Sequence, residues 1–373
     1  MSPIRVGFVG LSSQGWASTN LASPLFEEPV ASQYILSAVC TTNPRSAAES
    51  AAKWTEMSAG KTLVRAYHNI DDIVKDPELD LIAVSVKASQ HRDAVMKVIE
   101  AGKDVFVEWP VGIDLRQAEE MLEAAKKKGV RSFIGSQGHQ SPATKKLKEI
   151  VDSGKIGKVM SSTTIIRVGP LGYWGPSVNR SLAGRGTLAE EGTSILEIAG
   201  GHLLEILLHV FGDFSSITST LVSQYPIAQI VDDDGKPTGE TVKHETANQV
   251  VFSGVLRNGI VVSVHIRAGL PEAKSKKDHH FLWTIDGDQG TVSLEGHWPF
   301  PNVIQPTMSL NGEEIAMDLA EGTSVKNVRR MYEEYAKGDG RGDFATLEDG
   351  VRVRKVIDAV LRSAREGRRV DLF

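Results

Sequence analysis

Residues 4–10 form a short apolar run that closes on glycine, and the chain then turns through Leu11-Ser12-Ser13-Gln14-Gly15-Trp16-Ala17 into a helical pattern. Ile4, Val6, Phe8 and Val9 around small Gly7 suit a strand buried on both faces. A strand, a tight turn and a helix in that order constrain the fold strongly, because the turn aims backbone N–H groups at a phosphate. The spacing is G-x-S-x-x-G, from Gly10, Ser12 and Gly15. The second glycine of that pattern normally lets the backbone approach a pyrophosphate. Ser12 is the smallest polar replacement, and its hydroxyl can itself bond a phosphate. Alone, the motif reads equally well as a Gly/Ser turn. Further alternations decide the matter: strands are expected at 34–40, 80–86, 104–108 and 131–135, and helices at 46–56, 70–74, 91–101 and 115–128. Together they predict an α/β fold opening with a doubly wound parallel sheet of Rossmann type over residues 1–136. Gly10, Leu11, Ser12, Gln14, Gly15 and Trp16 are its cofactor-binding candidates.

The end of the second strand bears on which dinucleotide is held. A carboxylate there bonds the ribose 2′-hydroxyl of NAD. This strand ends instead in Thr41-Thr42-Asn43-Pro44-Arg45-Ser46. Hydroxyls and a guanidinium suit a 2′-phosphate, which Arg grips as a fork. NADP(H) is therefore expected over NAD(H), with Thr41 and Arg45 as contacts, although Arg45 also reads as a plain helix-start residue.

Composition removes other classes. A net charge of −5 and an isoelectric point near 6.1 give no basic footprint for nucleic acid or an anionic membrane. Cys40 is the only cysteine, so no disulfide closes within the chain and a reducing compartment is expected. Met1 to Val6 runs directly into a strand without a signal-peptide pattern, and no continuous apolar run suggests a membrane span. The expected setting is cytoplasmic, with a nuclear stay also compatible.

At 104–110 the chain reads Asp-Val-Phe-Val-Glu-Trp-Pro, a buried strand that ends in Glu108 and is stopped by Pro110. Here the sequence resembles the Gfo/Idh/MocA family of nicotinamide-dependent sugar oxidoreductases, whose motif at this place is Glu-Lys-Pro. The resemblance implies that Glu108 helps hold the cofactor and that Trp109 stands in the place of the family Lys, which assists proton transfer, and lies against the cofactor as a flat apolar wall. An indole is donor only and carries no mobile proton. The family loop after the 80–86 strand runs under the nicotinamide, which places Lys87 and His91 among the cofactor candidates. Lys87 reads equally as a surface lysine, and His91 as a helix cap.

The resemblance extends along the chain. Residues 137–373 are expected to form an α+β domain with a large, mostly antiparallel open sheet, serving substrate binding and a homodimer or higher oligomer. Its strands are expected at 159–168, 214–222, 246–256, 260–268, 280–286 and 290–295, and the C-terminal helix is expected to pack back on the first domain. In the family's active-site helix an Asp precedes a His by four residues, with an acid three later. His202 and Glu205 match the last two, but Ile198 stands in the Asp position. Loss of both Lys and Asp, with a Glu-Trp dipeptide, resembles the fungal galactose-regulon repressor branch, which keeps the NADP fold and works as a sensor.

Two functions follow from the resemblance. One is hydride transfer between nicotinamide and a carbonyl or secondary alcohol of a sugar-like or other small polar substrate. Tyr173 or His202 would then handle the proton, and the basic loop 180–186 would suit an anionic or polyhydroxyl substrate. The other is a catalytically inactive NADP-binding sensor that holds a protein partner. Neither calls for a metal.

Overall fold

A computed structural model describes residues 2–169, 172–183, 186–270, 279–338 and 340–372. The chain divides into two compact units, Met1–Gln140 with Ser324–Val351, and Ser141–Thr323 with Arg352–Phe373.

In the first unit, β1 (Ile4–Val9), β2 (Tyr34–Cys40), β3 (Arg65–Tyr67), β4 (Leu81–Val84), β5 (Asp104–Val107) and β6 (Ser132–Ile134) form one parallel sheet in the order β3-β2-β1-β4-β5-β6. The order reverses between β1 and β4, which makes their carboxyl ends the topological switch point where such sheets bind ligands. Phe8, Phe106, Phe133 and Val6 are fully buried, as strands covered on both faces require. The segment after the first loop is not one regular helix. A π-turn at Ala17–Ala22 passes into a 3₁₀ turn at Ser23–Phe26 and a short helix at Val30–Gln33. Pro24 and Pro29 interrupt it, since proline offers no N–H to an α-helical ladder.

The helix that completes this unit comes from late in the chain. Ser324–Ala336 buries Val328, Met331, Tyr332 and Tyr335, spaced as one helical stripe. Tyr335 stacks on Phe133 with ring centroids 4.3 Å apart, and its hydroxyl donates to Asp104 Oδ2 at 2.6 Å. Tyr332 donates to the Leu21 carbonyl at 3.1 Å and accepts on its own carbonyl from Tyr34 at 2.7 Å. Each buried aromatic contributes on the order of 2 kcal/mol through area alone. Residues 324–351 thus join the first unit: the helix 324–336 lies in it, and the last helix, Leu347–Glu366, begins against it, with Gly350 beside Val111 and Ile134, and runs on into the second unit beyond Val351.

The second unit carries the open sheet. Its strands are β7 (Val159–Arg167), β8 (Ser177–Asn179), β9 (Phe214–Val222), β10 (Ile227–Val231), β11 (Pro237–Lys243), β12 (Gln249–Leu256), β13 (Val261–Arg267), β14 (Phe281–Gly287), β15 (Thr291–Gly296), β16 (Thr307–Leu310), β17 (Glu313–Ile315) and β18 (Val370–Asp371). Nine pair as β17-β16-β15-β14-β7-β13-β12-β9-β18, antiparallel except for β7 with β13. A three-stranded sheet, β11-β10-β8, lies apart from them in the pairing. Side chains alternate along the central strands: Ser162, Val264, Phe252 and Trp283 are buried, while Thr163, Val261, Val251 and Thr218 are exposed on the opposite face. The stretch Ala189–Phe211 is long and apolar enough by composition to cross a membrane. Its window is 83% buried inside the protein, which marks a core helix.

Candidate functional site

The loop after β1 is set by close backbone packing. Gly10 sits at φ +94°, and a Cβ there would come within 2.1 Å of the Ser85 carbonyl oxygen, so only glycine lets the loops after β1 and β4 abut. Its N–H donates to the Cys40 carbonyl at 2.8 Å, tying in the end of β2 as well. Ser12 to Trp16 are exposed at this edge, and Leu11 is buried. The Ser12 hydroxyl donates to the carbonyl of Gln14, so its proton serves the loop and is not free for a phosphate.

At the end of β2, Thr41 Oγ1 lies 2.6 Å from Ser46 Oγ, and Asn43 caps the helix Pro44–Met57 by accepting from the Ser46 N–H at 2.9 Å. The Arg45 side chain is 90% exposed and pairs with Glu49 one helical turn on, at 2.9 Å. An exposed i,i+4 pair holds by only about 0.5 kcal/mol, so the guanidinium can turn to another anion. Lys87 is exposed at the start of the helix Ala88–Glu100.

His91 is 1% exposed, and its ring nitrogens lie 2.8 Å from the Pro110 carbonyl and 3.1 Å from the Val86 carbonyl. The ring lies between the loops after β4 and β5, and as a neutral imidazole it has one N–H to give to one of the two carbonyls. It acts there as a fastening inside the fold.

Glu108 is the most constrained group at this edge. Its Oε1 accepts from the Trp16 indole N–H at 2.9 Å and from the Gln137 amide at 3.4 Å, and its Oε2 accepts from the Trp109 backbone N–H at 2.8 Å. A Cβ on Gly135 would stand 2.3 Å from Oε2, so glycine is needed beneath it. Burial pushes the carboxyl up to about 7 against the opposing effect of the Trp16 and Trp109 donors. Trp109 itself is only 6% exposed, which sets the indole inside the fold at the position of the family ammonium.

Among groups the sequence reading passed over, Gln137 is buried against Glu108, and His139 Nε2 lies 2.9 Å from Asp343 Oδ1. Both lie far from their partners along the chain, and no local spacing announces them.

In the second unit, Tyr173 is part-buried beside Trp174, with ring centroids 5.3 Å apart. Trp174 Nε1 donates to the Thr193 carbonyl at 3.1 Å, and Gly186 N–H donates to Thr193 Oγ1 at 3.0 Å, which anchors this loop ahead of the His202 helix. Burial pushes the His202 imidazole down to about 4, so it is neutral at physiological pH. A neutral imidazole can accept a proton or pass one on, which disfavours the expectation that His202 supplies the acid itself. In the basic loop, Arg180 is matched by Glu240 in two hydrogen bonds of 3.1 and 2.7 Å, so its charge is already answered. Gly184 and Arg185 lie outside the described residues.

The acid one step from the family Asp position has a structural task. Residues Leu196–Gly200 form a π-turn, whose wider i→i+5 winding absorbs an extra residue before the helix Gly201–Phe211. Glu197 Oε2 accepts from the Ser194 N–H at 2.7 Å, while the Glu197 N–H donates to Ser194 Oγ at 3.3 Å. That is a capping box, and its Ser-x-x-Glu spacing was legible in the sequence. The other oxygen meets buried Arg354 at 3.4 Å.

Comparison with known proteins agrees with this architecture. Residues 4–136 match the family described as oxidoreductase family, NAD-binding Rossmann fold (Gfo/Idh/MocA), and residues 142–296 match the family described as Gal80p, C-terminal domain. The dehydrogenase aclE of Aspergillus oryzae is 29% identical over 98% of this chain and 97% of its own. The galactose/lactose metabolism regulatory protein GAL80 of Saccharomyces cerevisiae is 26% identical over 83% of this chain and 71% of its own. The solved structure of a super-repressor mutant of Gal80p from Saccharomyces cerevisiae shares the fold with a TM-score of 0.89 at 24% identity, covering 99% of this chain and 98% of that one.

Proposed function

Because the chain carries the NAD-binding Rossmann domain of the Gfo/Idh/MocA oxidoreductase family followed by a Gal80p-type C-terminal domain, we propose that it is an NADP(H)-dependent oxidoreductase. It would transfer hydride between the nicotinamide C4 and a carbonyl or secondary alcohol of a sugar-like or other small polar substrate. The observation that carries this reading is the exposed loop Ser12–Gly15 at the β1/β4 switch point, fastened by Gly10 against Ser85. Those residues fit a dinucleotide pyrophosphate, and Thr41 with Arg45 fit a 2′-phosphate. When bound, the dinucleotide supplies the hydride chemistry. The chain's own residues orient substrate and handle the proton, His202 as a neutral acceptor or relay and Tyr173 as the hydroxyl donor. The sheet face exposed around Thr163, Val251 and Val261 would serve a homodimer or higher oligomer, in a cytoplasmic or nuclear setting.

A second reading, a dinucleotide-responsive regulator that holds a protein partner, is favoured by two observations. The family ammonium is replaced by buried Trp109, and Glu197, the nearest candidate for the missing Asp, is held by its cap and by Arg354. Calorimetric titration with NADPH and NADH, followed by nicotinamide absorbance against a panel of carbonyls and sugars, separates the readings. Tighter NADPH binding, an Arg45→Ala variant weakened for NADPH alone by about tenfold, and substrate-dependent oxidation are expected. Tight binding without consumption across the panel overturns the enzyme reading and leaves the regulatory one.

A further inference from the structure

We infer that Ser50 and Lys53, which lie behind the loop on the helix Pro44–Met57, are positioning residues that hold its backbone in the conformation a pyrophosphate needs; this deepens the dinucleotide reading and rests on it. Ser50 is fully buried, and its hydroxyl donates to the Leu11 carbonyl at 2.7 Å. Lys53, one helical turn on, donates from Nζ to the Ser13 carbonyl at 2.7 Å and to Ser18 Oγ at 2.7 Å. The Ser18 hydroxyl in turn donates to the same Ser13 carbonyl at 3.3 Å. The Gln14 carbonyl is taken by the Ser12 hydroxyl. Two carbonyls of the loop, those of Leu11 and Ser13, are thus drawn toward the helix, while that of Gln14 is taken within the loop itself.

The peptide plane makes this consequential. In a trans peptide the C=O and the following N–H point in opposite directions. Carbonyls 11 and 13 drawn toward the helix therefore turn the N–H groups of Ser12 and Gln14 away from it. Among the described residues these two N–H groups donate to no acceptor. Two free N–H groups turned to the same side of the loop attract an anion, and the Lys53 ammonium behind them adds positive potential. The usual second glycine gives a loop freedom to approach a phosphate. Here Ser12 occupies that place, and the conformation is imposed from behind.

The test uses the full chain, titrated with NADPH and with inorganic pyrophosphate, together with amide spectra of the Ser12 and Gln14 N–H groups. Lys53→Met removes a charged donor and should raise Kd for both ligands roughly ten- to a hundredfold, and Ser50→Ala roughly two- to tenfold. Lys53→Arg restores a cationic donor and should recover most of the loss, which general damage to the fold would not allow. Pyrophosphate should shift the Ser12 and Gln14 amide resonances in the wild type and not in Lys53→Met. Wild-type affinity in Lys53→Met, or no recovery in Lys53→Arg, overturns the inference alone. A wild type that binds neither NADPH nor pyrophosphate overturns the dinucleotide reading and takes the inference with it.

Discussion

Glu108→Gln should be less stable than wild type at low pH, and the gap should close or reverse as the pH is raised. Burial moves the Glu108 carboxyl from 4.5 to about 7. Below pH 4.5 the group is protonated in the folded and unfolded chain alike and contributes no pH dependence. Between 4.5 and 7 the unfolded chain releases the proton while the folded chain keeps it. The unfolded state then binds fewer protons, and stability falls as the pH rises. Above about 7 both forms are ionised and the loss is complete. At 1.4 kcal/mol for each factor of ten, the fall across this window is about 3 kcal/mol. Gln cannot ionise, so the variant lacks this slope. It has its own cost, because its NH₂ group replaces an acceptor among the donors from Trp16, Trp109 and Gln137, and a mismatched buried pair costs about 1–3 kcal/mol. At pH 5 the variant should be the less stable protein, and at pH 8 the gap should close or reverse. Urea unfolding followed by tryptophan fluorescence at pH 5, 6, 7 and 8, with unchanged m-values, measures the difference. Parallel pH profiles for the two proteins would refute the reasoning, since they would place the Glu108 proton elsewhere in the pH range.

Arg354→Met leaves Glu197 buried without its cation, so the second unit should lose about 3–5 kcal/mol, read from its thermal or urea transition. Adding Glu197→Gln should recover a good part of that loss, and a double variant no better than the single one would deny the pairing. If the chain turns over substrate, His202→Ala and Tyr173→Phe should each lower kcat by roughly 10²–10⁴-fold with little change in dinucleotide affinity, measured by single-turnover absorbance and calorimetry. With His202 held down to about 4, the wild-type rate limb that reports it should appear as activity lost on acidification through that value and flat above it. A limb near 6.5 that disappears in His202→Ala would contradict the burial argument.

Local patterns determined a great deal. The apolar run 4–10 closing on Gly10, the later apolar runs and the helical spacings between them were enough to read the parallel sheet and its opening loop, because strands and helices answer to periodicity in a short window. The absence of Lys at Trp109 and of Asp at Ile198 was equally plain, since both are matters of residue identity. What tertiary structure alone decided involves partners far apart along the chain. Tyr332 and Tyr335 complete the core around Phe133 and Tyr34, so a helix near residue 330 closes a sheet that ends near residue 134. Ser50 and Lys53 grip the loop after β1, although both read as ordinary helix residues. His91, read as a helix cap or ligand contact, became a fastening between two loops because Pro110 and Val86 carbonyls converge on it. Hydrogen-bond direction and burial depend on what folds opposite a side chain, and no periodicity encodes that.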